Sequence, residues 1–137
     1  MEAVEILHQG GVRFEAQARG HRVICDQPPE NGGSDSGMTP PEFLLVSLGT
    51  CAGFYAAQYL KTRSLPPDGL KVRVTAEKTG KPVRLDQFQI EVTVADLDPH
   101  HMDGISRAVK SCLIHHTLLG ASTVNVVVHQ PVEAPAV

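Results

Sequence analysis

The chain has 137 residues, and its 12 Lys and Arg against 15 Asp and Glu give a formal charge of −3 with histidine neutral. This balance excludes the basic surface by which proteins bind nucleic acid or anionic membranes. With 42% apolar residues there are enough side chains for a core, so we expect a single folded domain over 1–137. No apolar run of roughly 18 residues, no leader and only three cysteines favour a cytoplasmic protein without a membrane span.

The first 25 residues predict three short strands. Apolar and polar residues alternate on both sides of Gly10 and Gly11, and such a glycine pair is typical of a hairpin turn. A second turn at Arg19-Gly20 leads to a third strand over 21–25. The sequence therefore begins with a small antiparallel sheet.

A long loop and a long helix follow. Residues 26–38 are rich in proline and glycine and show no periodicity, which is typical of a functional or subunit-bridging loop. Thr39 and Glu42 form a T-x-x-E capping box, with proline at the first helical position. No residue up to Lys61 breaks the helix, and its 43–60 segment carries no charge. A helix that is apolar all round is expected to be buried on most faces.

The second half of the chain predicts two strands, one helix and a last strand. The strands cover 70–77 and 88–94, the latter in strict apolar–polar alternation. A helix over 98–120 has an apolar stripe that carries Cys112, and a final strand covers 124–128. This order predicts an α+β fold, with antiparallel sheets packed on long helices.

Two cysteines are the candidates for chemistry. Cys51 and Cys112 fall on the buried stripes of the two helices, where a free cysteine is often no more than a small apolar residue. Burial raises the pKa of a thiol, so a reactive Cys51 needs a positive group from elsewhere. Arg13, Arg19 and Arg22 on the first strands are the available guanidinium groups. Of the two thiols, Cys51 is the better attacking sulfur and Cys112 the better resolving one.

A metal site is the alternative for the same residues. Cys112, His115 and His116, with Cys51 or Cys25, could supply a zinc shell. The chain has one C-x-x-H pair and no second paired motif, which weakens that interpretation.

Three segments of the chain resemble a known family. Residues 37–51, GMTPPEFLLVSLGTC, resemble the G-x-x-P-x-E-L-L-L-A-A-L-G-x-C motif of OsmC-like proteins. Residues 112–118, CLIHHTL, match the second motif C-P-V-H-R-T-L at Cys, His, Thr and Leu. Leu113 therefore replaces proline, and His116 replaces arginine. Residues 26–33 are similar to the D-x-P-P-E-x-G-G stretch of a less characterised branch of this family.

The resemblance implies an activity and an assembly. The family includes organic hydroperoxide resistance proteins, which are thiol peroxidases built as intertwined homodimers around long central helices. It implies that Cys51 attacks an organic hydroperoxide and that Cys112 closes a disulfide, which a dithiol such as a lipoylated protein then reduces. Arg13 is the nearest match to the activating arginine, with Arg22 as a rival, and Glu42 matches the orienting glutamate. No cofactor or metal is implied.

Two other functions stay open. The same fold could bind an apolar small molecule without catalysis, or the chain could be a Cys/His metal protein. An apolar site would favour alkyl or lipid hydroperoxides. The residues expected to line it are Phe43, Leu44, Leu48, Phe54, Tyr55, Met102 and Ile105.

Overall fold

The fold, taken from a computed structural model that describes residues 1–131, begins with a three-stranded antiparallel sheet. Its strands are β1 (Glu5–His8), β2 (Phe14–Ala18) and β3 (His21–Cys25), hydrogen-bonded in that order. Positive φ angles at Gly10 and Gly11 allow the tight β1–β2 connection. The three predicted strands are confirmed.

One face of this first sheet is apolar and open. Ile6 pairs with Ala16, and Ala16 pairs with Val23, so the three side chains form one row on the same face. Ile6 is 58% exposed and Val23 43% exposed. The long helix packs against elements other than this sheet. Within residues 1–131 no helix covers this apolar face to a comparable extent.

The loop after β3 is held together by a buried carboxylate. Asp26 is 2% exposed and accepts hydrogen bonds from the Gln27, Ser34 and Ser36 backbone N–H groups and from the Ser36 hydroxyl, at 2.7–3.1 Å. The Asp26 N–H in turn donates to the Met38 carbonyl at 3.2 Å. These bonds fix the loop against β3 immediately before the long helix begins.

The long helix α1 spans Pro40–Thr62 and begins at the predicted capping box. The N–H and hydroxyl of Thr39 donate to the Glu42 carboxylate at 3.1 and 2.7 Å. Its buried residues recur every fourth position, which defines a single stripe on the helix: Leu48, Ala52, Ala56 and Leu60.

The burial of α1 differs from the sequence-based expectation. We expected burial on most faces, yet Val46 and Phe54 on other sides of α1 are exposed, Phe54 by 56%. The chain supplies covering elements on one side of α1 only, so only that side of the helix is buried. The expectation that no segment could span a membrane is also wrong by length and composition, since α1 has a mean hydropathy of 1.4 over its most apolar window. A core helix passes the same test, and α1 packs against a sheet.

A two-stranded antiparallel sheet covers the buried side of α1. It consists of β4 (Lys71–Thr79) and β5 (Arg84–Thr93), which pack on α1 together with the short helix α2 (Met102–Val109). Ile105 and Val109 of α2 complete the core around Ala52, Ala56 and Leu60. The predicted pair of strands is confirmed.

The second predicted helix is in fact divided. It was expected to be continuous over 98–120, but α2 ends at Val109 and a separate helix α3 spans Leu113–Leu119. The break occurs because Cys112 adopts an extended conformation, with φ −61° and ψ 131°, and becomes the N-cap of α3. Cys112 therefore lies at a helix start, and the placement late in a helix was wrong.

The expected final strand over 124–128 is absent from the described residues as a paired strand. Val124, Val126 and Val128 are all more than 80% exposed. A strand needs a hydrogen-bonding neighbour, and this segment has none within residues 1–131. Residues 132–137 lie outside the described part of the chain.

Candidate active site

The two candidate cysteines come from different helices and meet where α1 packs against α3. Cys51 lies in the middle of α1 and is half-buried. Cys112 is fully buried, with 0% of its surface exposed, at the N-cap of α3. The Cys112 thiol lies beside the Cys51 sulfur, and each thiol shifts the pKa of the other. The structure therefore brings together the two thiols that the sequence selected.

The surroundings of the two sulfurs separate their acidities. Burial raises the pKa of Cys51, but hydrogen bonds from the Cys112 thiol and from the Ile114 and Leu113 backbone N–H groups outweigh it, and the net pKa is lowered. Burial, together with the bond that it gives to Cys51, raises the pKa of Cys112. Cys51 is thus the sulfur that ionises first, and Cys112 is the one that keeps its proton.

The polar groups that act on Cys51 are a thiol and two backbone amides. Within the described residues no charged side chain contributes to the lowered pKa of Cys51. The break before α3 makes this possible, because the first N–H groups of a helix have no acceptor inside it. The Cys112 sulfur accepts the His115 N–H at 3.4 Å. The Leu113 and Ile114 N–H groups lower the pKa of Cys51, and the Ile114 N–H also acts on Cys112.

These amides are the part of the site that sequence reasoning missed. The signal was the C-x-x-H spacing of Cys112 and His115, which we considered as a metal pair. An N-cap side chain commonly accepts the N–H of the residue three positions later. The same spacing could therefore have been interpreted as the start of a helix at Cys112.

The predicted arginines lie on the first sheet. Arg13 is exposed in the β1–β2 turn, where its backbone N–H donates to the Gly10 carbonyl at 3.0 Å. Arg22 is exposed and pairs with Glu15 at 3.9 Å across β2 and β3. Arg19, at the β2–β3 turn, is exposed as well. The structure does not bring these three side chains to Cys51 within one chain.

Glu42 is at the first turn of α1, nine positions before Cys51. Its carboxylate is engaged by Thr39, and the Thr39 hydroxyl and N–H hold the pKa of Glu42 below its ordinary value. The capping role predicted for Glu42 is confirmed.

An open groove of about 1090 Å³ lies between α1, β5, α2 and α3, and neither Cys51 nor Cys112 lines it. Its floor is apolar, and the expected lining residues Leu44, Leu48, Met102 and Ile105 contribute to it. Phe43, Phe54 and Tyr55 do not line it; the Phe54 ring instead meets the Tyr55 ring edge-on at 5.2 Å. His115, whose N–H bonds the Cys112 sulfur, is at its wall and links the groove to the thiol pair.

The metal site is not assembled in the part of the chain that the structure describes. Among residues 1–131, no three His, Cys, Asp or Glu side chains are placed to hold a metal ion. Cys25, the third cysteine, is half-buried on the first sheet, where its backbone forms an isolated parallel β-bridge with that of Met38.

The fold and the thiol pair define a class of protein. It is an α+β domain in which a long helix supplies one thiol and the start of a short helix supplies the second. A family model described as OsmC-like protein matches residues 33–127, which is more than half of the chain. The chain belongs to the OsmC-like family. No curated protein matches it in sequence.

Solved structures with the same fold span nearly the whole chain. An osmotic stress induced and detoxification response protein from Psychrobacter arcticus 273-4 is 21% identical, with a TM-score of 0.77 over 85% of this chain and 88% of that one. An OsmC like protein from Mycoplasma pneumoniae is 19% identical, with a TM-score of 0.68 over 87% and 89%. An organic hydroperoxide resistance protein from Vibrio cholerae, with captopril in one of its active sites, is 14% identical, with a TM-score of 0.65 over 88% and 86%. At these identities the similarity establishes the fold.

Proposed function

We propose that this protein is a thiol-dependent peroxidase that reduces organic hydroperoxides. The observation that carries the proposal is the contact between Cys51 and Cys112, in which the pKa of Cys51 is lowered and that of Cys112 is raised. A peroxidatic sulfur must be a thiolate, whereas a resolving sulfur can remain a thiol until it is needed.

The proposed cycle balances in two steps. The Cys51 thiolate attacks the terminal oxygen of the hydroperoxide, the O–O bond breaks, and the leaving alkoxide takes a proton to become an alcohol. Cys51 is thereby oxidised to a sulfenic acid. The Cys112 sulfur then attacks the Cys51 sulfur, an S–S bond forms and water leaves. A dithiol, such as that of a lipoylated protein, restores both thiols by exchange.

A homodimer is part of this proposal. The apolar row of the first sheet, the exposed Phe54 side of α1 and the valines of 124–128 are all uncovered in one chain. Monomeric proteins rarely leave such apolar surface in water, and a second copy offers matching surfaces. We propose that dimerisation brings Arg13 of one chain to Cys51 of the other, with Glu42 orienting the guanidinium. The cytoplasm is the proposed location, since its reductants keep free thiols reduced.

The groove favours a second candidate, a non-enzymatic binder of an apolar molecule. Its volume of about 1090 Å³ is close to the upper end of the range of small-molecule sites, and its floor is apolar as in most such sites. Under this alternative the thiols remain reduced during function.

Intact mass spectrometry after one equivalent of cumene hydroperoxide separates the two. The wild type is expected to lose two hydrogens. Cys112→Ser is expected to accumulate a sulfenic acid that dimedone traps, and Cys51→Ser is expected not to react. Cys25→Ser is the matched control and should react as the wild type does. An unchanged wild-type mass with all thiols still titratable would contradict the peroxidase and favour the binder.

Arg13 has a separate test. Arg13→Ala is expected to slow peroxide consumption by orders of magnitude, because a guanidinium stays charged at any working pH and polarises the O–O bond. Arg22→Ala is the matched control on the same sheet. A normal rate in Arg13→Ala with a slow rate in Arg22→Ala would transfer the role to Arg22.

A further inference from the structure

The groove between α1, β5, α2 and α3 combines an apolar floor with charged residues. The floor is built by apolar side chains of three elements, among them Leu48, Ile90 and Ile105. Three charged residues also line the groove: Arg84 and Asp86 at the start of β5, and Lys110 directly after α2. The position of these charges along the groove decides what kind of molecule it suits.

The start of β5 lies toward the beginning of α1. The Val72 side chain of β4 packs against Gly53 of α1, and the Val74 side chain packs against Gly49. β4 therefore runs toward the N-terminal half of α1. Because β5 is antiparallel to β4 and begins beside the end of β4, Arg84 lies at that same end of the groove.

Lys110 lies toward the same end. α2 follows a short turn held near the end of α1, where the Tyr59 hydroxyl is 2.9 Å from His101 Nδ1. From there α2 packs along α1 and leads into α3, which also contacts α1. The groove lining beyond Lys110 is shared with Leu44 near the beginning of α1. The charged lining residues thus gather at one end, and the other end is mainly apolar.

The charges at this end do not balance. Asp86 is the one carboxylate among the described lining residues, and it accepts from the Arg84 guanidinium at 3.3 Å and from the Gln87 N–H at 2.8 Å. Lys110 forms no ion pair within residues 1–131. The exposed ammonium group of Lys110 is therefore a positive charge without a partner at the end of an apolar groove.

We propose that this groove binds a single-chain amphiphile with an anionic head, such as a fatty carboxylate. The head contacts Lys110, and the alkyl tail lies along the floor toward Met102 at the start of α2. Each buried methylene favours binding, and the ammonium–carboxylate contact fixes the direction of the chain. An apolar protein surface is a poorer occupant, because it would remove water from Lys110 without supplying a negative charge.

The proposal rests on the groove, which also favours the second candidate function, and not on the redox chemistry of Cys51. Neither cysteine lines the groove. Binding and peroxide reduction can therefore be measured independently of each other.

Isothermal titration calorimetry with dodecanoate, below its micelle concentration, tests the site. Dodecanoate is expected to bind once per chain, with a Kd at least about tenfold lower than that of dodecyltrimethylammonium, which has the same tail and the opposite charge. From octanoate to dodecanoate, the Kd should fall by about twofold to fourfold for each added methylene. Equal or tighter binding of the cation would overturn the proposal.

Lys110→Gln tests the head-group contact. The variant is expected to weaken dodecanoate binding by about threefold to tenfold, while binding of dodecanol stays unchanged. Lys71→Gln is the matched control, because Lys71 is exposed at the start of β4 and does not line the groove. An unchanged Kd for dodecanoate in Lys110→Gln would contradict the assigned contact.

Two further measurements separate this proposal from the others. Cys51→Ser should bind dodecanoate as the wild type does, and a loss of binding would place the ligand at the thiols instead. Light scattering should show the same assembly with and without dodecanoate, whereas dissociation would mean that a second copy covers the groove. If cumene hydroperoxide forms the disulfide but dodecanoate does not bind, the groove proposal alone is wrong. If dodecanoate binds and no disulfide forms, the peroxidase is wrong and the binding site stands.

Discussion

The two sheets of this protein differ in whether their apolar faces are covered within a single chain. The β4–β5 sheet packs on α1 and α2, and the core between them contains Ala52, Leu60 and Ile105 at 0–5% exposure. The first sheet presents an equally apolar row, yet Ile6 and Val23 remain about half exposed. The β4–β5 sheet buries its apolar face within the chain, whereas the apolar face of the first sheet stays exposed and could be covered by another chain. That difference is the structural argument for the proposed homodimer.

The largest effect on the free energy of unfolding is expected at Leu60, which lies in the core between α1, α2 and the β4–β5 sheet. Leu60 is 1% exposed within the core cluster, so Leu60→Ala should lower the free energy of unfolding by about 2–5 kcal/mol through lost burial and the cavity left behind. Val83→Ala is the matched control, since Val83 is 71% exposed and its loss should cost less than about 0.5 kcal/mol. Urea unfolding followed by circular dichroism measures both. Similar values for the two variants would mean that this core does not dominate stability.

An intermediate and pH-dependent effect is expected at Asp26, which joins the first sheet to α1. The Ser36 hydroxyl, followed by the Ser36 and Gln27 N–H groups, outweighs burial and holds the pKa of Asp26 well below its usual range. A carboxyl with a depressed folded pKa stabilises the protein above its unfolded pKa, and the stabilisation is lost as the pH falls toward the folded pKa. The wild type should therefore be more stable than Asp26→Asn at neutral pH, with a difference that shrinks below about pH 4.

Urea unfolding at a series of pH values measures the Asp26 effect. Ser36→Ala removes a hydroxyl donor but keeps the carboxylate, and it should change stability in the same direction by a smaller amount. If the difference in unfolding free energy between wild type and Asp26→Asn stays constant with pH, the carboxylate charge is not what stabilises this loop.

The smallest effect on unfolding is expected at Ile6, and this variant tests the comparison directly. Because Ile6 is 58% exposed in one chain, Ile6→Lys should change the free energy of unfolding of the isolated chain by less than about 0.5 kcal/mol. In the proposed homodimer the same lysine would be buried without a partner, so light scattering should show monomers where the wild type shows dimers. A Glu5→Lys variant on the opposite face is the control. A dimer that survives Ile6→Lys would exclude this face as the interface.

Local sequence chemistry was sufficient for much of the fold. Gly10-Gly11 marked the first hairpin, Thr39 with Glu42 marked the start of α1, and alternation marked β5, because turns, caps and amphipathic periods depend on residues close together in sequence. The break before α3 was not predicted. The 98–120 segment has a continuous helical period, and the extended conformation at Cys112 depends on the contacts of a fully buried sulfur.

The amino-acid sequence by itself determined the strands β1 to β5, the long apolar helix, the family motifs and the two cysteines that could react, since each of these depends on residue type and short-range spacing. The tertiary structure alone decided that the two thiols meet, which of them ionises first, and which apolar faces one chain leaves uncovered. Acidity and burial depend on what surrounds a group in space, and here the groups around Cys51 come from a helix that starts about sixty residues later in the chain.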